Sequence, residues 1–531
     1  MHFRLPWCAG FGCGHATVHR LLASALVLAW LTGPVKLAAF DFFEPVQPPR
    51  RVQVMAHRGA AGQAPENTRP ALQRCAEDYI EWAEVDVRRT ADGRHVLAHD
   101  AELTGAGGAR KAVASSTLTQ LSTLDVGGVF AVRYSGQRML TLAEALDASK
   151  GRLNLYLDCK AVDAELLAKE ILSASMERQV VVYDSLANLK RIDAAAPGRL
   201  ALMAKWHPAD GLGDWMTTNR LAAVEIDADE VSNEAVSALH ARGVKVQAKV
   251  LASQDRPEVW ERMARAGVDW LQTDLPEEVR AHLYFRDHPK PPARFSLHRG
   301  ANRYAPENTI PAFEKAIRLR ANLVEFDVRT TSDGKFYLLH DSTFDGKTDG
   351  HGPIAAATAA EVDRISAGVR FSHAHAALRL PTLEQFLTAV QGQVDLYFDA
   401  KAIEPDELVS AVERHGMAER TVVYQSVPYL SRLKALNPRI RTLPPLNRVE
   451  ELAALAAKLK PYGVDADWEL LSESLIRECH RHGIVVFSDA LGKHESVEAY
   501  LRAIAWGIDV IQTDHPLRVL RAFELAELRK P

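Results

Sequence analysis

The chain carries two copies of one pattern at a constant offset of 241 residues. Ala56-His57-Arg58-Gly59-Ala60 returns as Leu297-His298-Arg299-Gly300-Ala301, and Ala64-Pro65-Glu66-Asn67-Thr68 as Ala305-Pro306-Glu307-Asn308-Thr309. Glu84-Val85-Asp86-Val87-Arg88 returns as Glu325-Phe326-Asp327-Val328-Arg329, and His99-Asp100 as His340-Asp341. Leu155 to Lys160 matches Leu396 to Lys401, and Gln272-Thr273-Asp274 matches Gln512-Thr513-Asp514 with a shift of one residue. A repeat this long must fold twice. The 531 residues, 47% apolar and 25% charged, allow two ordinary cores. His288-Pro289-Lys290-Pro291-Pro292 favours extended backbone and reads as a stiff connector. It sets units at 50–285 and 294–531, joined by a Pro-rich linker at 286–293.

Within the first copy, short β-rich runs alternate with helical patterns, as in βα units. Strands are expected at Val52 to His57, Trp82 to Val87, Leu153 to Asp158, Val180 to Tyr183, Leu200 to Ala204, Ala222 to Asp227, Val244 to Ala248 and Trp270 to Thr273. Eight strands in about 240 residues per copy fit a (β/α)8 barrel. Arg94 to His99 is a further run, joined to the second strand through the hairpin signal Asp92-Gly93, so it must be an antiparallel arm. The turn would return His99 toward Asp86. The expected fold is α/β: two tandem (β/α)8 TIM barrels, each with a small insertion after strand 2.

Active sites of such barrels lie at the carboxyl ends of the strands, where His57, Glu84, Asp86, Asp158 and Lys160 fall. Residues two apart share a face, so Glu84 and Asp86 converge, as do Asp158 and Lys160. Three carboxylates on neighbouring strands suit a hard divalent cation such as Ca2+ or Mg2+. Arg58 offers two donors to phosphate oxygens and Lys160 a point charge, which points to a phosphodiester substrate. The histidines are placed for proton transfer. Taken singly, each element has a bland reading: Asn67 or Thr68 as a helix cap, Glu-x-Asp as a solvated face, Asp158-x-Lys160 as an ion pair. The conjunction, in order and twice, is specific. Glu225 and Asp227, like Asp465 and Asp467, read as pocket lining, and His207, His373 and His375 as loop residues without repeat partners.

Other features bound the setting. A net charge of -4 without a long basic stripe excludes a nucleic-acid footprint. Arg4, His19 and Arg20 precede the apolar run Leu21 to Leu31, followed by Thr32, Gly33 and Pro34, which is the grammar of a secretory signal. The run is shorter than the roughly 20 residues of a membrane span. Residues 1–39 are therefore expected to be cleaved near Ala38 or Ala39, or retained as an N-terminal membrane anchor, placing the barrels in the periplasm or outside the cell. Beyond this leader Cys75, Cys159 and Cys479 show no disulfide framework or zinc spacing.

These motifs resemble the glycerophosphodiester phosphodiesterases over nearly the whole chain after the leader. The matching elements are His57-Arg58-Gly59, Pro65 to Thr68, Glu84 to Asp86, His99-Asp100 and Thr273 to Pro276, with His298 to Gly300, Pro306 to Thr309, Glu325 to Asp327, His340-Asp341 and Thr513 to Pro516 in the second copy. The resemblance implies metal-dependent hydrolysis of glycerophosphodiesters to glycerol 3-phosphate and an alcohol. It assigns His57 and His99 as the acid-base pair, Glu84, Asp86 and Asp158 as metal ligands, and Arg58 and Lys160 as phosphate ligands. Their counterparts are His298, His340, Glu325, Asp327, Asp399, Arg299 and Lys401. Three departures stand out: Asp158 and Asp399 where the family more often has glutamate, Gln247 and Phe487 in place of a late tryptophan, and Thr104-Gly105-Ala106-Gly107 facing the family-like Asp345 to Gly350. The last makes the first copy the one expected to be weaker. The competing expectations are a lysophospholipase D-like phosphodiesterase, and a chain in which one barrel is a non-catalytic binding module.

Overall fold

The computed structural model describes residues 39–212 and 220–529. The leader, residues 1–39, lies outside the described residues apart from its last position. In the first unit eight parallel strands, Gln53–Ala56, Trp82–Arg89, Asn154–Ala161, Val180–Tyr183, Ala201–Lys205, Ala223–Asp227, Lys245–Lys249 and Trp270–Thr273, pair in sequence order. The first pairs with both the second and the last, which closes the barrel. His95–Leu97 runs antiparallel to the second strand beyond Gly93, whose φ of 76° is the left-handed turn the hairpin needs. Each expected strand of the first copy is present within a few residues of its expected ends.

The second unit repeats this order, with one difference. Its fifth strand is broken at Pro444, so that Arg441–Leu443 pairs with the fourth strand and Pro445–Leu446 with the sixth. Proline has no N–H to give a ladder, and the barrel closes around the break.

Alternation along the strands divides the two faces. Val85, Leu155 and Leu157 pack outward against the helices, while Met55, Trp82, Tyr156, Val181, Met203, Ala223 and Trp270 fill the first barrel's interior. Phe42, upstream of residue 50, closes the bottom edge-on to Trp82 and Trp270, with ring centroids 5.5 and 5.1 Å away. Packing thus carries the first unit upstream of residue 50. Cys75, Cys159 and Cys479 are buried free thiols.

The barrels share a core. Helix Pro276–Asp287, which runs into the segment read as a linker, packs with Pro516–Glu527 through Tyr284, Phe285, Phe295 and Phe523. Arg50 holds Glu81 of its own barrel and Glu524 of the other, at 2.6 and 2.9 Å. Lys315 of the second barrel sits between Glu277 and Glu278 of the first, all three buried. Removing one partner of a buried ion cluster strands the others. Lys315→Met is therefore expected to lower global stability by about 3 kcal/mol, read as a loss of denaturant midpoint without a change in m.

Candidate active site

In both copies the turn after the first strand is built the same way. His57 continues the ladder, its N–H bonding to the Thr273 carbonyl at 3.0 Å. Arg58 and Gly59 then take positive φ, 55° and 76°. A side chain on Gly59 would come within 2.9 Å of the Ala71 Cβ, so the helix start leaves room for glycine alone. Gly300 faces Ala312 in the same manner. This turn aims the Arg58 N–H at Glu84 Oε2, 2.7 Å away, and the Arg299 N–H at Glu325 Oε2 over the same distance.

Strand two presents Glu84 and Asp86 inward and strand three presents Asp158. Their ligand oxygens lie within 4.8 Å of one another, as do those of Glu325, Asp327 and Asp399. Lys160 Nζ bridges Asp158 at 2.7 Å and Asp86 at 3.4 Å, and Lys401 does the same for Asp399 and Asp327. Arg58 Nη1 meets Glu66 at 2.9 Å, and Arg299 meets Glu307. Burial first, then the neighbouring carboxylates, hold Glu84 and Glu325 well above the ordinary carboxylate range. Burial also raises Asp158 and Asp399 against the pull of their lysines. One buried oxygen of Glu84 and one of Asp327 have no hydrogen-bond partner. Crowded, buried, under-partnered carboxylate oxygens are the donor set of a hard dication, so these residues fit one.

The hairpin arm sets the second histidine. Ala98 N–H bonds to the Asp86 carbonyl at 2.9 Å, and Arg88 clamps the His99 carbonyl with two donors. His99 Nδ1 lies 2.8 Å from Asp100, and His340 Nδ1 equally close to Asp341. His57 Nδ1 is 2.7 Å from Asp274, and His298 Nδ1 2.9 Å from Asp514. The hydrogen bond from His57 draws Asp274 below the ordinary carboxylate range. With Nδ1 engaged, Nε2 is the remaining nitrogen of each ring; that of His57 accepts from Arg58 Nε at 3.3 Å and lies 3.9 Å from Glu84. The sequence reading named the histidines but missed their orienting carboxylates, although the Thr-Asp-x-Pro element holding Asp274 and Asp514 was visible.

The cap reading of Asn67 and Thr68 holds in position and fails in chemistry. Thr68 is the N-cap residue of helix Arg69–Glu77 but makes no side-chain cap bond; its hydroxyl donates to the Pro65 carbonyl. Asn67, at φ 56°, turns inward, donates to Asp86 Oδ2 at 2.9 Å and accepts the Asp86 N–H at 3.0 Å. Asn308 repeats this on Asp327. The amide leaves one face of the carboxylate fixed. Glu225 lines the first barrel's interior as expected, bonded to Tyr156, Tyr183 and Lys205. His207 stands beside Asp227 and Glu230, and His373 bonds to the Gly128 and Phe130 carbonyls of the other barrel's insertion.

The insertions differ. In the first, Glu102–Thr104 pairs with Arg110–Ala112 as a short ribbon, and Val126, Val129, Phe130 and Met139 line an open cleft of about 390 Å³ with Arg58 and His99. In the second, Lys347 adds a cation on Glu307 at 3.0 Å.

The sequence profile of the Glycerophosphoryl diester phosphodiesterase family matches residues 57–278 and again 298–518. A glycerophosphodiester phosphodiesterase of Caldanaerobacter subterraneus subsp. tengcongensis is 29% identical over 231 residues, spanning 41% of this chain and 93% of that relative. One from Bacillus subtilis is 26% identical over 245 residues, spanning 41% and 82%. A crystal structure of a glycerophosphodiester phosphodiesterase from Agrobacterium tumefaciens aligns with 43% of this chain and 99% of its own, at 25% identity and a TM-score of 0.40. Matched by the family's profile over most of its length, the chain belongs to the glycerophosphoryl diester phosphodiesterase family in two tandem copies, and is a phosphodiester hydrolase.

Proposed function

We propose that both barrels hydrolyse glycerophosphodiesters to glycerol 3-phosphate and an alcohol, in a compartment to which residues 1–39 direct the chain. The observation that carries this reading is the doubled constellation: three carboxylates with an unpartnered buried oxygen, ringed by an arginine, a lysine and two histidines whose Nδ1 atoms are held. Glu84, Asp86 and Asp158, and Glu325, Asp327 and Asp399, would hold Ca2+ or Mg2+, which supplies charge neutralisation and polarisation of a phosphoryl oxygen. Arg58 and Lys160, or Arg299 and Lys401, bind the remaining phosphate oxygens.

One histidine of each pair takes the proton of the attacking hydroxyl as the new P–O bond forms. The other gives its proton to the alcohol oxygen as the old P–O bond breaks. The attacking group in this reading is the substrate's own glycerol hydroxyl, which yields a cyclic phosphate that water then opens with the histidine roles reversed. Phosphorus NMR during turnover is expected to show the cyclic species; solvent oxygen entering in one direct step would remove it from the pathway.

The apolar lining of the first cleft favours a second reading for that barrel, a lysophospholipase D-like activity on diesters bearing an acyl chain. Glycerophosphocholine and lysophosphatidylcholine assayed side by side, with and without chelator, separate the two. Glycerophosphocholine is expected to be cleaved, and chelator to stop the reaction; undiminished turnover in chelator would sink the metal-dependent mechanism.

A further inference from the structure

Across each mouth from the first strand, the ends of strands five to seven carry different charges in the two barrels. In the first, Lys205 stands in register with Glu225 and Lys249 with Gln272. In the second, the equivalent positions are Pro445, in register with Asp465, and Asp489, in register with Gln512. Glu225 and Asp227 become Asp465 and Asp467. Alternation puts all of these on the inner face with Asp158 and Asp399.

In the first barrel Lys205 bonds both Glu225 and Asp227, and Lys249 Nζ lies 4.0 Å from Glu225. Two lysines balance two carboxylates. In the second, Tyr397 donates to Asp465 at 3.0 Å, yet among the described residues no lysine or arginine pairs with Asp465, Asp467 or Asp489. One buried oxygen of Asp465 and one of Asp489 have no partner. Burial, followed by the charges of Asp399 and Asp467, pushes the Asp465 carboxyl up to about 7. Of the cations at this mouth, Arg299 and Lys401 are paired with Glu307, Asp327 and Asp399, and Lys347, Arg370 and Arg133 from the other barrel's insertion line a hollow with Glu307, which follows the first strand and so stands across the barrel from strand five. Tyr424 beside Tyr397, with ring centroids 6.2 Å apart, repeats the Tyr183–Tyr156 pair of the first barrel at 5.5 Å, so an aromatic face that can meet an alkylammonium group is common to both mouths and the charges are what differ.

We propose that the two barrels divide their substrates by charge: the second accepts phosphodiesters of a cationic amino alcohol, such as choline, against Asp465, Asp467 and Asp489. The first accepts diesters of neutral or anionic alcohols against Lys205 and Lys249. The proposal rests on the reading that both barrels cleave glycerophosphodiesters. It makes the duplication a widening of range.

The test uses the full chain with one mouth silenced, His99→Ala leaving the second barrel and His340→Ala the first. The quantity read is the ratio of kcat/KM for glycerophosphocholine over glycerophosphoglycerol. That ratio is expected to be at least about tenfold higher for the second barrel, the order of magnitude of one uncompensated, partly buried charge. Asp489→Asn and Asp465→Asn in the His99→Ala chain are expected to lower it about tenfold, mainly through KM. Each variant reports its own folding through the neutral substrate. A parallel arm with lysophosphatidylcholine, which shares the headgroup, shows whether free diester or lipid supplies it. Equal ratios in the two barrels overturn the proposal, as does an equal loss on both substrates in the asparagine variants. If neither barrel cleaves either diester, the underlying reading fails and takes this inference with it.

Discussion

Replacing His99 and His340 together with alanine is expected to lower kcat on glycerophosphocholine by about 10³-fold, within the usual range for a lost acid-base group. Either single change should remove only its own barrel's share. The size of the effect follows from how firmly each imidazole is set. Asp100 and Asp341 engage Nδ1, and Arg88 and Arg329 clamp the histidine carbonyls, so alanine removes a group held in one orientation. The loss should fall on kcat with little change in KM, since the arginine and lysine proposed to bind phosphate remain. If the barrels differ in charge preference as inferred, His340→Ala costs more on glycerophosphocholine and His99→Ala more on glycerophosphoglycerol. Full activity in the double variant would refute the acid-base assignment.

The second large effect runs in opposite directions for activity and stability. Glu84→Gln with Glu325→Gln is expected to cut kcat/KM by roughly a hundredfold, since losing about 3 kcal/mol of charge stabilisation is about two decades in rate. The same change should raise the melting temperature of the metal-free protein. Glu84 and Glu325 are buried against like charges, and their carboxyls are held well above the ordinary range. A carboxyl raised on folding favours the native state below its unfolded value of about 4.5, and that contribution is lost as pH rises through the raised value. The metal-free wild type should therefore melt higher as pH falls from neutrality toward that window, and the double glutamine variant should show less of this rise. Adding Ca2+ or Mg2+ at a hundred times its dissociation constant should stabilise each wild-type site by about 2.7 kcal/mol. Calorimetry that shows the same metal-induced shift in the glutamine variant would place the ion elsewhere.

Much of this site was legible because the chemistry sits on strands. Glu84-x-Asp86 and Asp158-x-Lys160 needed only the two-residue period of a strand and the rule that barrel sites form at strand ends. The hairpin at Asp92-Gly93 placed His99, because a left-handed glycine turn leaves the chain few ways to go. What escaped depended on backbone angles or on register. Asn67 and Thr68 are both good cap residues, and only the left-handed φ at Asn67 decides that its amide faces Asp86. Asp274 reaches His57 from a position 217 residues away, across the seam where the barrel closes. The contrast of Lys205 and Lys249 with Pro445 and Asp489 is invisible until the pairing of strands five to eight aligns them, since those residues lie outside the motifs that reveal the repeat.

The helices that join the two barrels also set how the molecule can be taken apart. Tyr284, Phe285, Phe295 and Phe523 belong to one continuous apolar core, and Arg50 and Lys315 each cross from one barrel to carboxylates of the other. A cut at the proline-rich segment would expose that aromatic seam to water and orphan the buried charges along it. The two repeats thus form one cooperative unit: neither is expected to survive expression by itself, and a mutation that unfolds one half should carry the other with it.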